Sequence, residues 1–382
     1  MNQNKTKMNE TKMNKTKMIE TRLNEIKLKE IILKESKSNE NRNLTGITDL
    51  NGKTNTPLQA QVCEIQRELY TVISERGITN AKLRGSFYKE NSEVPVVGDM
   101  VELRLQENGY SVIERLLERK SKFSRTDLSG HAAGYVKTIK EQVLAANFDY
   151  VFIVDSLNQN FNQNRITRYV SSVLKSGAEP IVVLTKADLC ENVNYYIQQV
   201  KTISNKLNVY AISSMTGEGL EQLSPYLLRG NTVVFLGSSG VGKSTLLNAI
   251  AGEELMKTGE IRERDSRGRH TTTHRKMIFL PSGVRIIDTP GIRELGLWDA
   301  EEGIEDTFSD IIELFQGCRF ANCTHTKEIG CAVQEALANE SISQERWKLY
   351  SQLKNENEWA RNKATSKLRQ KQRSKGKRLY EG

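Results

Sequence analysis

Residues 232–245 read TVVFLGSSGVGKST, and this stretch decides the fold of the central part of the chain. Gly237 to Ser244 matches G-x-x-x-x-G-K-[ST], after an apolar run and before a segment typical of a helix. The backbone N–H groups of such a loop converge on phosphate groups at the positive end of the helix dipole. We expect Lys243 to reach the β- and γ-phosphates and Ser244 to bind Mg²⁺. The alternative is a glycine-rich turn that matches by chance, and the apolar run before it and the helix-like segment after it argue against this.

A second motif predicts which base is bound. Thr185-Lys186-Ala187-Asp188 directly follows the apolar run Ile181 to Leu184. A carboxylate at Asp188 can accept hydrogen bonds from the N1–H and N2 groups of guanine, whereas adenine has no such pair of donors. Asn usually stands at the position of Thr185, so we expect weaker support for this loop. The motif alone can arise by chance, but Ser213-Ser214 resembles the further base-contacting loop.

The third motif is Asp288-Thr289-Pro290-Gly291, after the apolar run Val284 to Ile287. Asp288 is expected to hold Mg²⁺ through water, and the Gly291 amide to contact the γ-phosphate. The guanine motif precedes the phosphate loop, which is the reverse of the order in Ras-like GTPases. The reversed order can still build one pocket, because these loops follow the carboxyl ends of parallel strands. We predict these nucleotide contacts: Thr185, Lys186, Ala187, Asp188, Ser213, Ser214, Gly237, Ser238, Ser239, Gly240, Val241, Gly242, Lys243, Ser244, Thr245, Asp288 and Gly291.

The pattern changes along the chain. Short alternating apolar segments from about 57 to 120, broken by Gly, Asn and Pro, predict a small antiparallel β domain, with a five-strand OB-type barrel as the natural choice. Residues 119–145 are basic and polar and indicate a connector. Five later apolar runs alternate with helix-like stretches, which is typical of a parallel α/β sheet.

The chain has 382 residues and a formal charge of +9, so we expect several domains and a surface that attracts polyanions. The N-terminal repeat, rich in Met, Asn, Lys and Thr, favours a disordered extension, with an RNA-contacting arm as the alternative. The basic residues from Arg361 to Arg378 indicate either contact with RNA phosphates or a solvated helix. No apolar run is long enough to span a membrane and no secretion signal is visible, so we expect a cytoplasmic protein, with nothing that calls for more than a monomer.

Four side chains suggest a metal site. Cys318, Cys323, His325 and Cys331 form C-x4-C-x-H-x5-C, a set that suits a closed tetrahedral structural zinc site. Scattered buried cysteines are the alternative, and a catalytic zinc is disfavoured because all four positions are filled.

Together these motifs resemble the RsgA (YjeQ) family, the ribosome small subunit-dependent GTPases. The resemblance covers about residues 57–360 and also includes Pro95 to Asp99, Gly268 to Thr273 and the run from Asp288 to Trp298. It implies an OB barrel, a circularly permuted GTPase domain and a zinc module. The expected divisions are an extension at 1–55, a barrel at 56–120, a GTPase domain at 121–300 and a mostly α zinc-binding domain with a basic tail at 301–382.

Hydrolysis needs a group that positions water. Ras uses a Gln after the motif glycine, but this chain has Ile292 there, which can neither donate nor accept a hydrogen bond. His270 is the candidate, both from its place between the phosphate loop and Asp288 and from the resemblance. The alternative is an exposed His270 without a role. By analogy, Thr272 joins Ser244 and Asp288 at Mg²⁺.

Three functions fit these features. The leading hypothesis is a GTPase that binds ribosomal RNA, is stimulated by the small ribosomal subunit and acts late in that subunit's maturation. The second is an RNA-binding assembly chaperone in which the nucleotide is structural, kept open by Ile292 and Thr185. The third, a small-molecule kinase with a phosphate loop, is disfavoured because it has no use for the guanine motif.

Overall fold

The computed structural model describes residues 58–90, 93–106, 109–127, 140–256, 275–288, 301–359 and 362. The chain divides into two compact units: the first contains the described residues up to Arg119 with those of 228–230 and 274–287, and the second contains the rest. The predicted extension and basic tail lie outside the described residues. No helix in the described ranges is long and apolar enough to cross a membrane.

The strands are β1 (Leu58–Gln66), β2 (Leu69–Ser74), β3 (Gly77–Leu83), β4 (Met100–Arg104), β5 (Ser111–Leu116), β6 (Lys122–Asp127), β7 (Lys140–Ala146), β8 (Tyr150–Ser156), β9 (Glu179–Thr185), β10 (Asn208–Ala211), β11 (Thr232–Leu236), β12 (Arg275–Phe279) and β13 (Arg285–Asp288). The helices are α1 (Phe87–Glu90), α2 (Gln163–Lys175), α3 (Val193–Lys201), α4 (Lys243–Ala251), α5 (Glu301–Thr307), α6 (Ser309–Phe315), α7 (Ala332–Ala338) and α8 (344–359). Short 3₁₀ helices cover Ala187–Leu189 and Leu220–Tyr226.

The first unit contains a closed barrel. Its strands pair in the order β1-β2-β3-β5-β4, and β4 also pairs with β1, so the barrel has no free edge between these strands. The pairs are antiparallel except β3 with β5, which is parallel. Inward-facing residues such as Val62, Val72 and Ile113 pack around Phe87 of α1. This arrangement confirms the predicted five-strand barrel of OB type.

The Pro95 to Asp99 motif has a structural role in the barrel. The Asp99 carboxylate is fully buried and accepts a hydrogen bond of 2.7 Å from the Val96 amide. It also accepts two bonds from Arg119, at 2.7 and 2.8 Å. Burial raises the pKa of Asp99, while Arg119 opposes that shift. The motif therefore forms a turn whose buried charge is paired.

The second unit contains a parallel sheet in the order β10-β9-β8-β11. Its strands are apolar on both faces, and Val151 to Leu157 are all buried. Helix α2 begins at the cap Asn162, whose side chain accepts a bond of 2.9 Å from the Arg165 amide. Its residues Ile166, Val170 and Val173 share one buried face. These elements confirm the predicted α/β sheet.

The connector predicted over residues 119–145 is wrong in part. Strands β6 and β7 form an antiparallel pair, with Lys122 opposite Ala146. Phe123 is buried and stacks on Phe148, with ring centroids 4.6 Å apart. The glycines and basic residues suggested a connector, but the two ends of this stretch pair as strands.

The C-terminal helices pack on the parallel-sheet part of the second unit. Arg346 of α8 binds both carboxylate oxygens of Asp310, at 2.7 and 2.5 Å. Its other N–H groups donate to the carbonyls of Thr307 at 3.0 Å, Thr202 at 3.2 Å and Ile203. One guanidinium thus joins α5, α6 and the end of α3, and we name this set of bonds the Arg346 clamp.

Helices α2 and α5 approach each other closely at Gly303. A Cβ atom added at Gly303 would lie 1.9 Å from the Ser171 carbonyl oxygen. Beside it, the hydroxyls of Ser171 and Thr307 are 2.9 Å apart. The contact therefore requires a residue without a side chain.

We predict that Gly303→Ala lowers the thermal midpoint by about 5 °C or more, because the clash exceeds ordinary overpacking. Alanine is favoured over glycine inside a helix by about 1 kcal/mol, so without this contact the substitution would stabilise the protein. Thermal unfolding followed by circular dichroism measures whether the midpoint falls or rises. Gly85→Ala, in a turn, is the control for an added methyl group without a clash, since a Cβ there meets nothing within 4 Å. A raised midpoint for Gly303→Ala would contradict the contact.

Candidate functional site

The phosphate loop leaves β11 and enters α4 with backbone angles that need glycine. Gly237 has a φ of 147°, and a Cβ there would lie 2.3 Å from the Val154 carbonyl oxygen. Gly242 has a φ of 93° and precedes α4 with no side-chain hydrogen bond at the cap. A helix start of this kind leaves backbone N–H groups for an anion.

Lys243 is held inside this loop. Its ammonium donates to the carbonyls of Gly237, at 2.6 Å, and Ser238, at 2.5 Å, and the residue is only 6% exposed. A cation this buried strengthens the attraction of the loop for phosphate, because surrounding water screens it weakly. The Ser238 hydroxyl is buried and has no partner among the described residues.

The guanine motif touches the phosphate loop directly. The Thr185 hydroxyl donates to the Val241 carbonyl at 2.7 Å and lies 3.3 Å from the Asp155 carbonyl oxygen. Thr185 is 2% exposed, so water competes little for this bond. Threonine therefore supplies a hydrogen bond to the phosphate loop at the position where Asn is usual.

Two further contacts fix the loop from Thr185 to Asp188, which we call the base loop. Lys186 has a left-handed φ of 64°, and its ammonium lies 3.3 Å from the Gly240 carbonyl oxygen. The Ala187 amide donates to the Ile212 carbonyl at 3.1 Å, which joins this loop to the one containing Ser213 and Ser214. Asp188 is exposed on the same loop.

The Ser213-Ser214 loop is built around a buried serine. The Ser213 hydroxyl accepts a bond of 3.2 Å from the Thr216 amide, and its own amide donates to the Glu218 carbonyl at 2.9 Å. The Ser214 hydroxyl is buried and has no partner in the part of the chain that the structure describes. Buried hydroxyls without partners are uncommon. The Ser214 hydroxyl lies on the Ser213-Ser214 loop and the Ser238 hydroxyl on the phosphate loop, so the residues present fit a nucleotide.

Sequence patterns do not indicate the ion pair at the end of β8. Arg165 of α2 donates to both carboxylate oxygens of Asp155, at 2.8 and 3.0 Å. Burial raises the pKa of Asp155, and Arg165 opposes that rise. The pair fixes the strand end whose Asp155 carbonyl oxygen lies 3.3 Å from the Thr185 hydroxyl. Carboxylate and guanidinium are 10 residues apart, a spacing without a recognised motif.

Part of the predicted site lies outside the described residues. These are His270, Thr272, Gly291 and Ile292, and their predicted roles are not tested. Asp288 ends β13, where its backbone is described.

The four predicted metal ligands come together. The ligand atoms of Cys318, Cys323, His325 and Cys331 all lie within 4.8 Å of one another. The His325 Nδ1 atom lies 3.5 Å from the Cys318 sulfur and 3.6 Å from the Cys331 sulfur. Three thiols and one imidazole at such distances could hold a metal ion.

The electrostatics of this cluster suit a cation. Burial opposes ionisation of Cys318, but amides at the start of α7 and the neighbouring thiols lower its pKa. Burial, Cys331 and Cys318 raise the pKa of Cys323 to about 11. Burial and the nearby charge of Lys354 lower the pKa of His325. Several thiolates are therefore costly here unless a cation compensates them.

We predict that Thr185→Val lowers the affinity for GDP about tenfold, since the Val241 carbonyl would lose its partner at a cost of about 1.4 kcal/mol. Fluorescent GDP titration measures this. Thr185→Ser keeps the hydroxyl and is expected to bind like the wild type. Equal affinity of the Val and Ser variants would show that the bond does not support nucleotide binding.

Family models match most of the chain. The RsgA GTPase model matches residues 116–298 and the RsgA N-terminal domain model residues 60–113. An ABC transporter model also matches residues 220–378, a stretch that includes the phosphate loop found in both protein classes.

Named relatives and solved structures agree with the family models. Small ribosomal subunit biogenesis GTPase RsgA 1 of Listeria innocua is 43% identical over 326 residues, or 85% of this chain and 90% of the relative. RsgA 2 of Vibrio vulnificus is 45% identical over 296 residues, or 77% of this chain and 80% of the relative. The crystal structure of YjeQ from Thermotoga maritima, 28% identical, has a TM-score of 0.60 and covers 79% of this chain and 99% of its own. The crystal structure of YloQ, described as a circularly permuted GTPase, is 25% identical and has a TM-score of 0.57. The match covers 80% of this chain and 96% of YloQ. This chain therefore belongs to the RsgA family of circularly permuted GTPases.

Proposed function

We propose that this chain hydrolyses GTP to GDP and phosphate in small ribosomal subunit biogenesis, and that the subunit stimulates the reaction. The bond between Thr185 and Val241 carries the nucleotide part of the proposal, because it joins the base loop to the phosphate loop. The relatives named small ribosomal subunit biogenesis GTPases support the biological role.

Each site residue then has a role. Asp188 accepts from the guanine base, the amides from Gly237 to Thr245 bind the phosphates, and Lys243 neutralises their charge. Mg²⁺ shields the phosphate oxygens when bound, and Ser244, Thr272 and Asp288 would hold it. The Gly291 amide contacts the γ-phosphate.

Hydrolysis is an attack by water on the γ-phosphorus. A phosphorus–oxygen bond forms to the water oxygen, the bond to the β–γ bridging oxygen breaks, and GDP leaves with that electron pair. His270 would orient the water or accept its proton, since Ile292 cannot. Without its partner the protein is expected to turn over slowly.

The partner is the small subunit and its RNA. The barrel and the basic tail supply the contacts, and the charge of +9 favours a polyanion. We expect a monomer that acts in the cytoplasm, where ribosomes are assembled.

The turnover test uses full-length protein with GTP or ATP, with and without small subunits from Listeria innocua. We predict that the subunits raise GTP turnover by about tenfold or more, while ATP turnover stays at background. Lys243→Ala is the inactive control. Nucleotide binding without stimulation would instead favour the assembly chaperone, an alternative that rests on Ile292 now that Thr185 has a hydrogen-bonding role.

The metal ion at the cysteine cluster is proposed to be zinc, one per chain, with a structural role. All four ligands come from protein, and thiolate with imidazole is the donor set that zinc prefers in closed sites. A zinc ion there would hold the loop from Cys318 to Cys331 against α7.

We predict about one zinc per purified chain and its loss in Cys323→Ala, because three ligands with one open position bind far more weakly. Metal analysis by mass spectrometry measures the content. Cys190→Ala removes a cysteine outside the cluster and should keep the metal. Stoichiometric zinc in Cys323→Ala would show that the ligand set is wrong.

A further inference from the structure

One carboxylate organises the loop around the metal-ligand histidine. Glu328 accepts hydrogen bonds from the backbone amides of Thr324 at 2.8 Å, Thr326 at 2.9 Å and Lys327 at 3.1 Å. It also accepts from the Thr324 hydroxyl. Two of these amides belong to the residues on either side of His325.

His325 itself needs such support. Its φ is 60°, in the left-handed region, which costs a residue with a side chain about 1–2 kcal/mol. Its carbonyl accepts from the Gln334 amide group at 2.7 Å, and its ring stacks on Phe315 with centroids 4.1 Å apart. The Trp347 ring packs against the imidazole of His325 in an edge-to-face arrangement, with the two ring centroids 6.2 Å apart. Phe315 and Trp347 fix the ring plane, but neither can hold the backbone in this conformation.

Glu328 is therefore placed to hold that backbone. Its carboxylate does not belong to the cluster of ligand atoms. Both of its oxygens take part in the bonds to the loop, Oε1 with Thr324 and Oε2 with Thr326 and Lys327. The group thus stabilises the loop without being a ligand.

We propose that Glu328 is a positioning residue for the metal site: by binding the amides on both sides of His325, it presets the direction of the imidazole. The proposal rests on the proposed zinc site. Groups that orient a metal ligand without touching the metal typically contribute about 10- to 100-fold to metal affinity.

The test is the rate at which zinc-loaded full-length protein loses zinc to a chromogenic chelator. Glu328→Ala is expected to release zinc about tenfold faster than the wild type. Glu328→Gln should fall between them, because its amide keeps one acceptor oxygen but loses the charge and the second oxygen. Glu335→Gln is the matched control: it removes the same charge from an exposed residue of α7 and should release zinc at the wild-type rate.

An absorption spectrum distinguishes a change in the direction of the imidazole from a general loss of loop stability. In protein loaded with Co²⁺ in place of zinc, the ligand-field absorption depends on the direction of the imidazole. It is expected to change in Glu328→Ala and to stay the same in Glu335→Gln. If Glu328→Ala does not fold, the release rate and spectrum of Glu328→Gln decide.

Wild-type release rates and an unchanged spectrum in both Glu328 variants would overturn the positioning role while leaving the zinc site intact. Wild-type protein that binds no zinc would overturn both proposals.

Discussion

The hydrogen bond from Thr185 to the Val241 carbonyl connects the two halves of the nucleotide site. Its donor and acceptor are 56 residues apart and lie at the carboxyl end of β9 and in the loop after β11, the two strands that flank β8 in one parallel sheet. Base recognition and phosphate binding must act on the same molecule, so the loops that perform them need a fixed distance. The bond helps to fix that distance, and the permuted order can still build one pocket because both loops follow the carboxyl ends of parallel strands.

The permutation alters which part of the chain comes after the last motif. In this chain Asp288 is followed by the C-terminal module rather than by the rest of the nucleotide-binding fold. That module packs on α2 through the bare backbone of Gly303 and on the end of α3 through the Arg346 clamp. Helix α3 begins only five residues after Asp188. The C-terminal module is therefore joined to the Asp288 segment along the chain and is also attached to the far end of the helix that follows the guanine motif.

The sequence predicted those parts that depend on local chemistry. The phosphate loop, the guanine motif and the cysteine cluster each need particular residue types at fixed spacing, and the structure brings each set together. The barrel and the parallel sheet were predicted from alternating and continuous apolar runs. Residue-level roles at His270 and Thr272, and the three boundaries between the four expected divisions, stay predictions.

The parts that the sequence missed depend on contacts between distant residues. The hydroxyl of Thr185 has a carbonyl partner that no pattern specifies, and Arg165 pairs with a buried aspartate across a loop. Glycine at 303 matters only because another helix passes there. Strands β6 and β7 were missed because β6 has a single apolar residue, Phe123, and so shows no strand-like alternation. In each case the feature depends on a residue that is close in space but distant in sequence.

The Arg346 clamp also determines how the C-terminal module responds to its surroundings. An arginine stays charged at every pH that cells reach, and three of the groups it binds are backbone carbonyls, which carry no ionisable proton. Its side chain is only 16% exposed, so dissolved ions reach it poorly. The bonds from Arg346 to the three carbonyls are consequently insensitive to acidity, whereas any contact between surface cations and RNA phosphates weakens as salt is added.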